Sequence, residues 1–206
     1  MPIEILSFQL TPFVTNCYVL RDGGEAIVID AGDVTPPLLA ALKGYTVPLI
    51  VNTHCHCDHA GANAEMKRVT NGALLCHQAE LPLLRALVQQ GQMFGVPFQP
   101  SPEPDRFIAE GDTITVGATT LRVIDCPGHS PGHVALVGDG YIIGGDVLFA
   151  GGIGRTDLPG GDAQQLFDSI REKFMTLSDD TIVYSGHGPA TTIGRERATN
   201  PFMSML

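Results

Sequence analysis

The chain has 206 residues, 44% of them hydrophobic and 17% charged, which is enough to bury a substantial core and predicts one globular domain over residues 1–206. A formal net charge of −10 argues against the concentrated basic surface that nucleic acids and anionic lipids require, so we expect a small-molecule substrate and neither a nucleic-acid nor a membrane partner. The N-terminal segment has no basic signal-peptide region, and no apolar run approaches roughly 18 residues, so we expect a cytoplasmic protein.

The first half of the chain alternates strands with helices. Short apolar runs bounded by turns predict strands over residues 3–10, 16–20, 25–30, 47–52 and 73–76. Helical spacing predicts helices over residues 36–43, 62–70 and 78–90. The run at 47–52 is apolar up to its closing asparagine, which is typical of a strand that is buried on both faces.

The second half returns to strands after an interruption. Residues 91–105 are rich in proline, glycine and phenylalanine, so we predict an irregular segment there and consider it a candidate lid or substrate loop. Further strands are predicted over residues 112–116, 119–125, 133–138, 141–145 and 181–185. Two helices complete the pattern, over about 162–175 and 191–199.

The stretch NTHCHCDHAG directly follows the buried strand at 47–52 and places His54, His56, Asp58 and His59 close together. Alternate side chains of an extended segment face the same way, so the first three of these would converge while the two intervening cysteines point to the other side. Imidazole and carboxylate suit zinc, iron or manganese. For one histidine a solvated loop is the simpler interpretation, but three histidines with a carboxylate favour a metal site.

The five cysteines form no disulfide framework. Their number is odd, their spacing does not repeat, and no secretory signal accompanies them, so we expect reduced thiols. A structural zinc held by Cys55 and Cys57 is the less favoured alternative, because no second cysteine pair completes four ligands.

Three later segments end predicted strands with further candidate ligands. CPGHSPGH offers His129 and His133, YIIGGDVLF offers Asp146 behind two glycines, and TIVYSGHGP offers His187. Each segment alone is more simply a turn. With the four earlier residues, however, they supply more donors than one tetrahedral ion with an open position needs, so we predict two ions that share a carboxylate and a bridging hydroxide.

The order T-H-C-H-C-D-H, P-G-H, G-D and S-G-H-G resembles the metallo-β-lactamase superfamily over nearly the whole chain. The stretches CPGHSPGHVAL and GGDVLFAGGIGRTDLPGGD, with the closing NPFM, resemble its short bacterial glyoxalase-II-like hydroxyacylglutathione hydrolases. This resemblance implies an α/β (α+β) fold, the four-layered αβ/βα sandwich of two mixed sheets with helices outside. It also implies two divalent ions, for which zinc is the first expectation and iron or manganese are alternatives.

The family pattern divides the ligands between the two ions. It assigns the first ion to the residues that match His54, His56 and His129, the second to those that match Asp58, His59 and His187, and the bridging position to Asp146. In this pattern His133 is not a ligand, and we expect it to support the site from outside the ligand set.

The resemblance also implies a reaction, the hydrolysis of S-D-lactoylglutathione or a related hydroxyacylglutathione to glutathione and a 2-hydroxy acid, which is a step of methylglyoxal detoxification. A hydroxide between the metals would attack the thioester carbonyl, and Asp58 is the candidate catalytic residue that holds its proton. Arg155 matches a basic residue of longer relatives and is a candidate clamp for a substrate carboxylate, with a surface pair to Asp157 or Asp162 as the alternative. Those relatives carry a C-terminal helical domain that we do not expect here.

Other activities fit the same motifs. GRTD also resembles the persulfide dioxygenases of the superfamily, which use one iron and act on glutathione persulfide. A hydrolase of another ester, lactone or thioester is a second alternative, and a metal-binding protein without turnover is a third.

Overall fold

The computed structural model describes residues 3–205, whose contacts divide them into two compact units. The first unit contains the residues up to Ile108 together with Ile114–Thr120, and the second contains Ala109–Thr113 together with the residues from Leu121 onward. The prediction of one domain over residues 1–206 stays a prediction. Across residues 3–205 no helix combines the length and the apolar character that crossing a bilayer demands.

The first six strands form one mixed sheet in which each strand pairs with the next along the chain. They are β1 (Glu4–Leu10), β2 (Thr15–Asp22), β3 (Glu25–Ile29), β4 (Thr46–Val51), β5 (Ala73–Cys76) and β6 (Arg106–Phe107). β1, β2 and β3 are antiparallel, whereas β3 to β6 run parallel to one another. Parallel neighbours need crossover connections, and helices fill most of these connections.

The helices of the first unit lie in those crossovers. They are α1 (Pro36–Leu42), α2 (Cys57–Ala60), α3 (Asn63–Thr70), α4 (Leu81–Arg85) and α5 (Leu87–Phe94). Leu38 of α1 and Met66 of α3 pack with Val28 and Ile50 of the sheet in one core cluster. A second cluster combines Leu84 and Leu87 with other apolar side chains of this unit. The crossover helices therefore supply the apolar surface that this sheet buries.

The remaining strands form a second six-stranded sheet and a short hairpin. They are β7 (Thr113–Val116), β8 (Thr119–Asp125), β9 (Val134–Val137), β10 (Tyr141–Gly145), β13 (Ile182–Ser185) and β14 (Thr191–Thr192) in the sheet, with β11 (Leu148–Phe149) and β12 (Gly152–Ile153) in the hairpin. The sheet order is β14-β13-β10-β9-β8-β7, and β10 with β13 is a parallel pair. Between β12 and β13 the chain forms helix α6 (Ala163–Ser169) and a π-helical turn over Ile170–Phe174. Helix α7 (Ile193–Thr199) follows β14.

Several boundaries differ from the sequence prediction. The helix predicted over 78–90 is a 3₁₀ turn followed by α4 and α5, which meet at Ala86. The prediction that residues 91–94 are irregular is wrong, because α5 continues to Phe94 and packs that ring 5.5 Å from Phe13. This tertiary contact outweighs the low helix propensity of glycine.

Short elements account for the other differences. Residues 191–192 form β14 rather than the start of a helix, and α7 begins at Ile193 with Thr192 accepting a hydrogen bond from Arg195 N. The sequence also did not predict α2, β6 or the β11–β12 hairpin. Elements of two to four residues carry too little periodicity to be read from a sequence.

Candidate metal centre

The first unit brings its four predicted ligands together at the carboxyl end of β4. His54 and His56 lie on a buried segment that is neither helix nor strand, whereas Asp58 and His59 lie in α2. The ring centroids of His54 and His56 are 4.8 Å apart, and those of His54 and His59 are 4.1 Å apart. The first two histidines are therefore close together across a bend in the backbone, and helix α2 places the other two residues.

Asp30, at the end of β3, orients two of these histidines. Its Oδ1 accepts a hydrogen bond from Thr53 N at 2.7 Å, and its Oδ2 accepts one from Thr53 Oγ1 at 2.6 Å. The same Oδ2 lies 3.1 Å from Nδ1 of His59. A carboxylate only accepts, so His59 donates through Nδ1 and its lone pair lies on Nε2.

Thr53 passes this orientation to His54. Its single hydroxyl proton goes to Asp30, so Thr53 Oγ1 accepts the hydrogen bond from His54 Nδ1, which is 3.1 Å away. The lone pair of His54 therefore also lies on Nε2. One buried carboxylate thus sets the tautomers of two candidate ligands, which is the usual way in which proteins prepare imidazole for a metal.

Asp58 is held by a residue of β2. Its Oδ2 accepts a hydrogen bond from Thr15 Oγ1 at 2.7 Å and lies 3.5 Å from Nε2 of His59. The Asp58 side chain is 14% exposed, so it remains accessible from solvent. Its carboxylate is therefore fixed beside an imidazole and open to a small molecule.

The second unit gathers its candidate ligands around Asp146. Asp146 Oδ2 lies 3.5 Å from Nε2 of His129 and 3.4 Å from Nε2 of His187. Gly145 of β10 pairs with Ser185 of β13, so Asp146 and His187 follow neighbouring ends of parallel strands. The sheet register itself thus brings these two side chains together.

His129 and His133 both follow a glycine in CPGHSPGH, but they use different ring nitrogens for their backbone contacts. His129 donates through Nδ1 to Arg155 O at 2.7 Å, which places its lone pair on Nε2, towards Asp146. His133 instead uses Nε2 to accept a hydrogen bond from Asp146 N at 3.0 Å. Nε2 of His133 is therefore occupied in holding the Asp146 backbone.

Arg155 forms the surface pair that the sequence analysis weighs as the alternative. Its Nε and Nη2 donate to the two carboxylate oxygens of Asp157 at 2.6 and 2.7 Å, and this hydrogen bonding lowers the Asp157 pKa to about 2. The Arg155 side chain is 55% exposed, so it is accessible to a ligand from solvent. A substrate contact for Arg155 stays a prediction.

The cysteines are free and buried. Cys55 and Cys57 pack in an apolar cluster with Cys76, Leu84 and Leu87. Burial raises the pKa of Cys57 to about 11 and also raises that of Cys55, with nearby carboxylates adding to both shifts. Because both thiols pack among apolar side chains, this arrangement disfavours the zinc–thiolate alternative.

The donor set fits divalent metal ions. Every candidate is an imidazole or a carboxylate, and the orienting contacts of His54, His59 and His129 place their lone pairs on Nε2. A carboxylate 3.4–3.5 Å from two imidazole nitrogens, as at Asp146, is suited to coordinate an ion beside either one. This chemistry supports a centre for divalent metal, while the assignment of single ligands stays a prediction.

Sequence reasoning missed the residues that orient the ligands. Asp30 was placed only at the end of a predicted strand, and Thr53, Glu80 and Gln90 were given no role, although each makes hydrogen bonds within the first unit that are buried or, for Gln90, partly buried. The one available signal was a lone aspartate that follows an apolar strand. The bonds themselves join residues distant in sequence, so no local pattern reveals them.

Comparisons with known proteins agree with the divalent-metal chemistry that this geometry supports. Residues 10–187 match the model of the Metallo-beta-lactamase superfamily. The hydroxyacylglutathione hydrolase GloC of Haemophilus influenzae is 36% identical over 99% of each chain. Two crystal structures are similar, that of the BLEG-1 B3 metallo-beta-lactamase (TM-score 0.90, 37% identity, 98% of this chain and 100% of that one) and that of TTHA1623 in a di-iron-bound form (0.88, 36%, 96% and 99%).

Proposed function

Because the chain belongs to the metallo-beta-lactamase superfamily of metal-dependent hydrolases, with the fold that its sequence predicted, we propose that it hydrolyses thioesters, with S-D-lactoylglutathione or a related hydroxyacylglutathione as substrate. The observation that carries the proposal is the orientation of the imidazoles by Asp30 and by Arg155 O. The match to a hydroxyacylglutathione hydrolase over the whole length supports the substrate class. The products would be glutathione and a 2-hydroxy acid.

The metal content is part of this proposal. The donor set and the family support two divalent ions, and we propose zinc, although a similar structure was solved with two irons and manganese suits the same donors. Two such ions would supply a hydroxide near neutral pH and a positive charge for the oxyanion that develops on the carbonyl.

Asp58 would hold a proton during the reaction. Thr15 donates to one of its oxygens, which fixes the plane of the carboxylate. An oriented carboxylate accepts the proton of a nucleophilic hydroxide as the hydroxide attacks the thioester carbonyl. The thiolate then leaves with little acid assistance, because a thiol has a pKa of about 8.5.

Arg155 would recognise the substrate rather than take part in bond breaking. Its guanidinium already binds one carboxylate in a bidentate manner. Glutathione carries two carboxylates, and exchange of Asp157 for one of them would keep the same geometry. Specificity for glutathione over other thiols therefore depends, in this proposal, on an exposed pair that opens.

Metal analysis and a substrate screen test the proposal. The protein is purified without added metal, its metal content is measured, and turnover is assayed on S-D-lactoylglutathione, simple acyl thioesters, lactones and glutathione persulfide. We expect two ions per chain and fastest turnover of the hydroxyacylglutathione. One iron per chain with oxygen uptake on the persulfide would instead establish a dioxygenase, and bound metal without any turnover would establish a metal-binding protein.

A further inference from the structure

The segment between Thr53 and Cys57 has an unusual backbone environment. It is buried throughout, yet residues 53–56 belong to neither a helix nor a strand. The N–H and C=O groups of such a segment lack the partners that regular structure provides, so side chains from elsewhere must bind them. Glu80 and Gln90, from the helical region after β5, provide these contacts.

Gln90, in α5, binds the segment on both sides of His56. Its Oε1 accepts a hydrogen bond from Cys57 N at 2.9 Å, and its Nε2 donates to Cys55 O at 3.2 Å. The same Nε2 also donates to Leu83 O at 2.8 Å, which anchors the amide to α4. A primary amide is the side-chain group that supplies an acceptor and two donors at one place.

Glu80 binds the same segment one step earlier. It ends the 3₁₀ turn before α4 and is fully buried, and its Oε2 accepts a hydrogen bond from Cys55 N at 2.7 Å. The N–H and the C=O of Cys55 are thus both bound by side chains. Because Cys55 lies between His54 and His56, its two peptide planes determine the directions in which both imidazoles leave the backbone.

A packing role alone does not account for these two residues. Cys55 and Cys57, whose N–H groups they bind, pack in an apolar cluster with Leu84 and Leu87. Burying a carboxylate there is costly unless it is hydrogen-bonded, and an apolar side chain would fill the same space without that cost. The hydrogen bond from Cys55 N offsets part of the cost of burying the Glu80 carboxylate and holds the backbone of the segment.

We propose that Glu80 and Gln90 are positioning residues that fix the spacing and direction of His54 and His56 before a metal binds. The inference rests on the metal-binding part of the proposed function and is independent of the substrate. Supporting contacts around ligands typically change metal affinity by about 10–100-fold when they are removed. The segment would thus be organised in the metal-free protein at the expense of one buried carboxylate and one partly buried amide.

Three variants and one control test this inference. Gln90→Leu removes all three hydrogen bonds at similar size, Gln90→Glu keeps the acceptor for Cys57 N but loses both donors, and Glu80→Gln keeps an acceptor while removing the charge. Glu196→Gln is the matched control, because Glu196 is also fully buried and accepts a backbone N–H, that of Gly151 at 2.8 Å, in the second unit. Both charge-removing changes place the same amide at a site of the same burial.

Two measurements are made on each protein. Co²⁺ is titrated into metal-free protein against a competing chelator, with the visible absorption of bound Co²⁺ reporting its ligand geometry. Amide hydrogen exchange of residues 53–57 is measured in the metal-free protein. We expect Gln90→Leu to weaken the tightest Co²⁺ site by about 10–100-fold, to alter its spectrum and to accelerate exchange, with smaller effects for Gln90→Glu and Glu80→Gln. The control should retain parental behaviour.

Other outcomes overturn the inference. Parental affinity, spectrum and exchange in Gln90→Leu would do so, and so would an equal loss of affinity in the control, since that would indicate a general effect of buried polar groups. If Gln90→Leu does not fold, Gln90→Glu and Glu80→Gln decide in the same way. Neither measurement uses a thioester, so a parent protein that binds Co²⁺ but does not hydrolyse thioesters would refute the proposed substrate and leave this inference standing.

Discussion

The two units hold their candidate ligands by different means. In the first unit the ligands crowd into residues 54–59, and distant side chains such as Asp30 and Gln90 orient them through hydrogen bonds. In the second unit the ligands are far apart in sequence, and the pairing of β10 with β13 sets the approach of Asp146 to His187. The first arrangement depends on polar side chains, whereas the second depends on backbone register.

This difference predicts which substitutions matter in each unit. Where side chains orient the ligands, removing one hydrogen-bonding group should change metal binding while the fold survives. Where the backbone does so, a substitution that forces two backbones apart should change stability first.

Asp58→Ala should abolish most turnover and leave a folded protein. Loss of a positioned proton acceptor typically costs about 10²–10⁴-fold in rate, and Asp58 is partly exposed, so the fold does not depend on it. The measurement is kcat on S-D-lactoylglutathione with circular dichroism as the check on folding. Thr15→Val, which removes only the hydrogen bond to Asp58, should have a smaller effect. Near-normal kcat in Asp58→Ala would exclude this residue from the reacting centre.

Gly128→Ala should destabilise the second unit. Gly128 has φ +132°, and an added Cβ would lie 2.2 Å from Leu166 N and 2.4 Å from Leu166 Cα, so α6 would have to move away from the segment that carries His129. Backbone strain together with overpacking costs about 2–5 kcal/mol. Gly140→Ala is the control, since Gly140 has φ +77° but open space around its Cα. Equal melting temperatures for the two variants would contradict the argument from close packing.

Asp30→Asn should weaken metal binding more than it affects the fold. The amide keeps one acceptor oxygen but places a donor towards either Thr53 or His59, which disturbs the tautomers of two histidines. We expect the metal affinity to fall by about 10–100-fold, measured by competition with a chelator. Unchanged affinity would mean that the imidazoles hold their orientation without this carboxylate.

Arg155→Ala should have the smallest effect on the metal site. His129 binds the backbone carbonyl of Arg155 and not its side chain, so the metal affinity should not change, and loss of an exposed ion pair should alter Tm by less than about 2 °C. If Arg155 recognises glutathione, KM for S-D-lactoylglutathione should rise about tenfold with little change in kcat. Unchanged KM would assign Arg155 only to its pair with Asp157.

Apolar runs were sufficient to predict most of the strands and helices, and the fold followed from the family resemblance that the motif order carries. The sequence also singled out the imidazoles and carboxylates that the structure gathers within each unit. It could not predict α2, since four residues show no helical period, and it treated Asp58 as part of an extended segment. Nor could it predict how Asp30 reaches His59, because that contact spans two elements and arises only when β3 and β4 pair.

Contacts that form only on folding also distinguish the two histidines of CPGHSPGH. Spacing alone offered His129 and His133 equally, and the resemblance chose between them. The physical difference is the nitrogen that each ring uses for its backbone contact, Nδ1 in His129 and Nε2 in His133. Such a choice depends on which backbone group lies nearby after folding, and residue type does not encode it.

The parallel pairing of Gly145 with Ser185 has a consequence for how the chain tolerates changes in length. Asp146 and His187 keep their approach as long as β10 and β13 stay in register, so extra residues in the connection between them would cost only the slowly growing entropy of a longer loop. An insertion between His54 and His56 would instead displace one imidazole, because the hydrogen bonds of Glu80 and Gln90 hold Cys55 between them. The second unit can therefore vary the length of the connection between two of its candidate ligands, whereas the first unit cannot vary the spacing of His54 and His56.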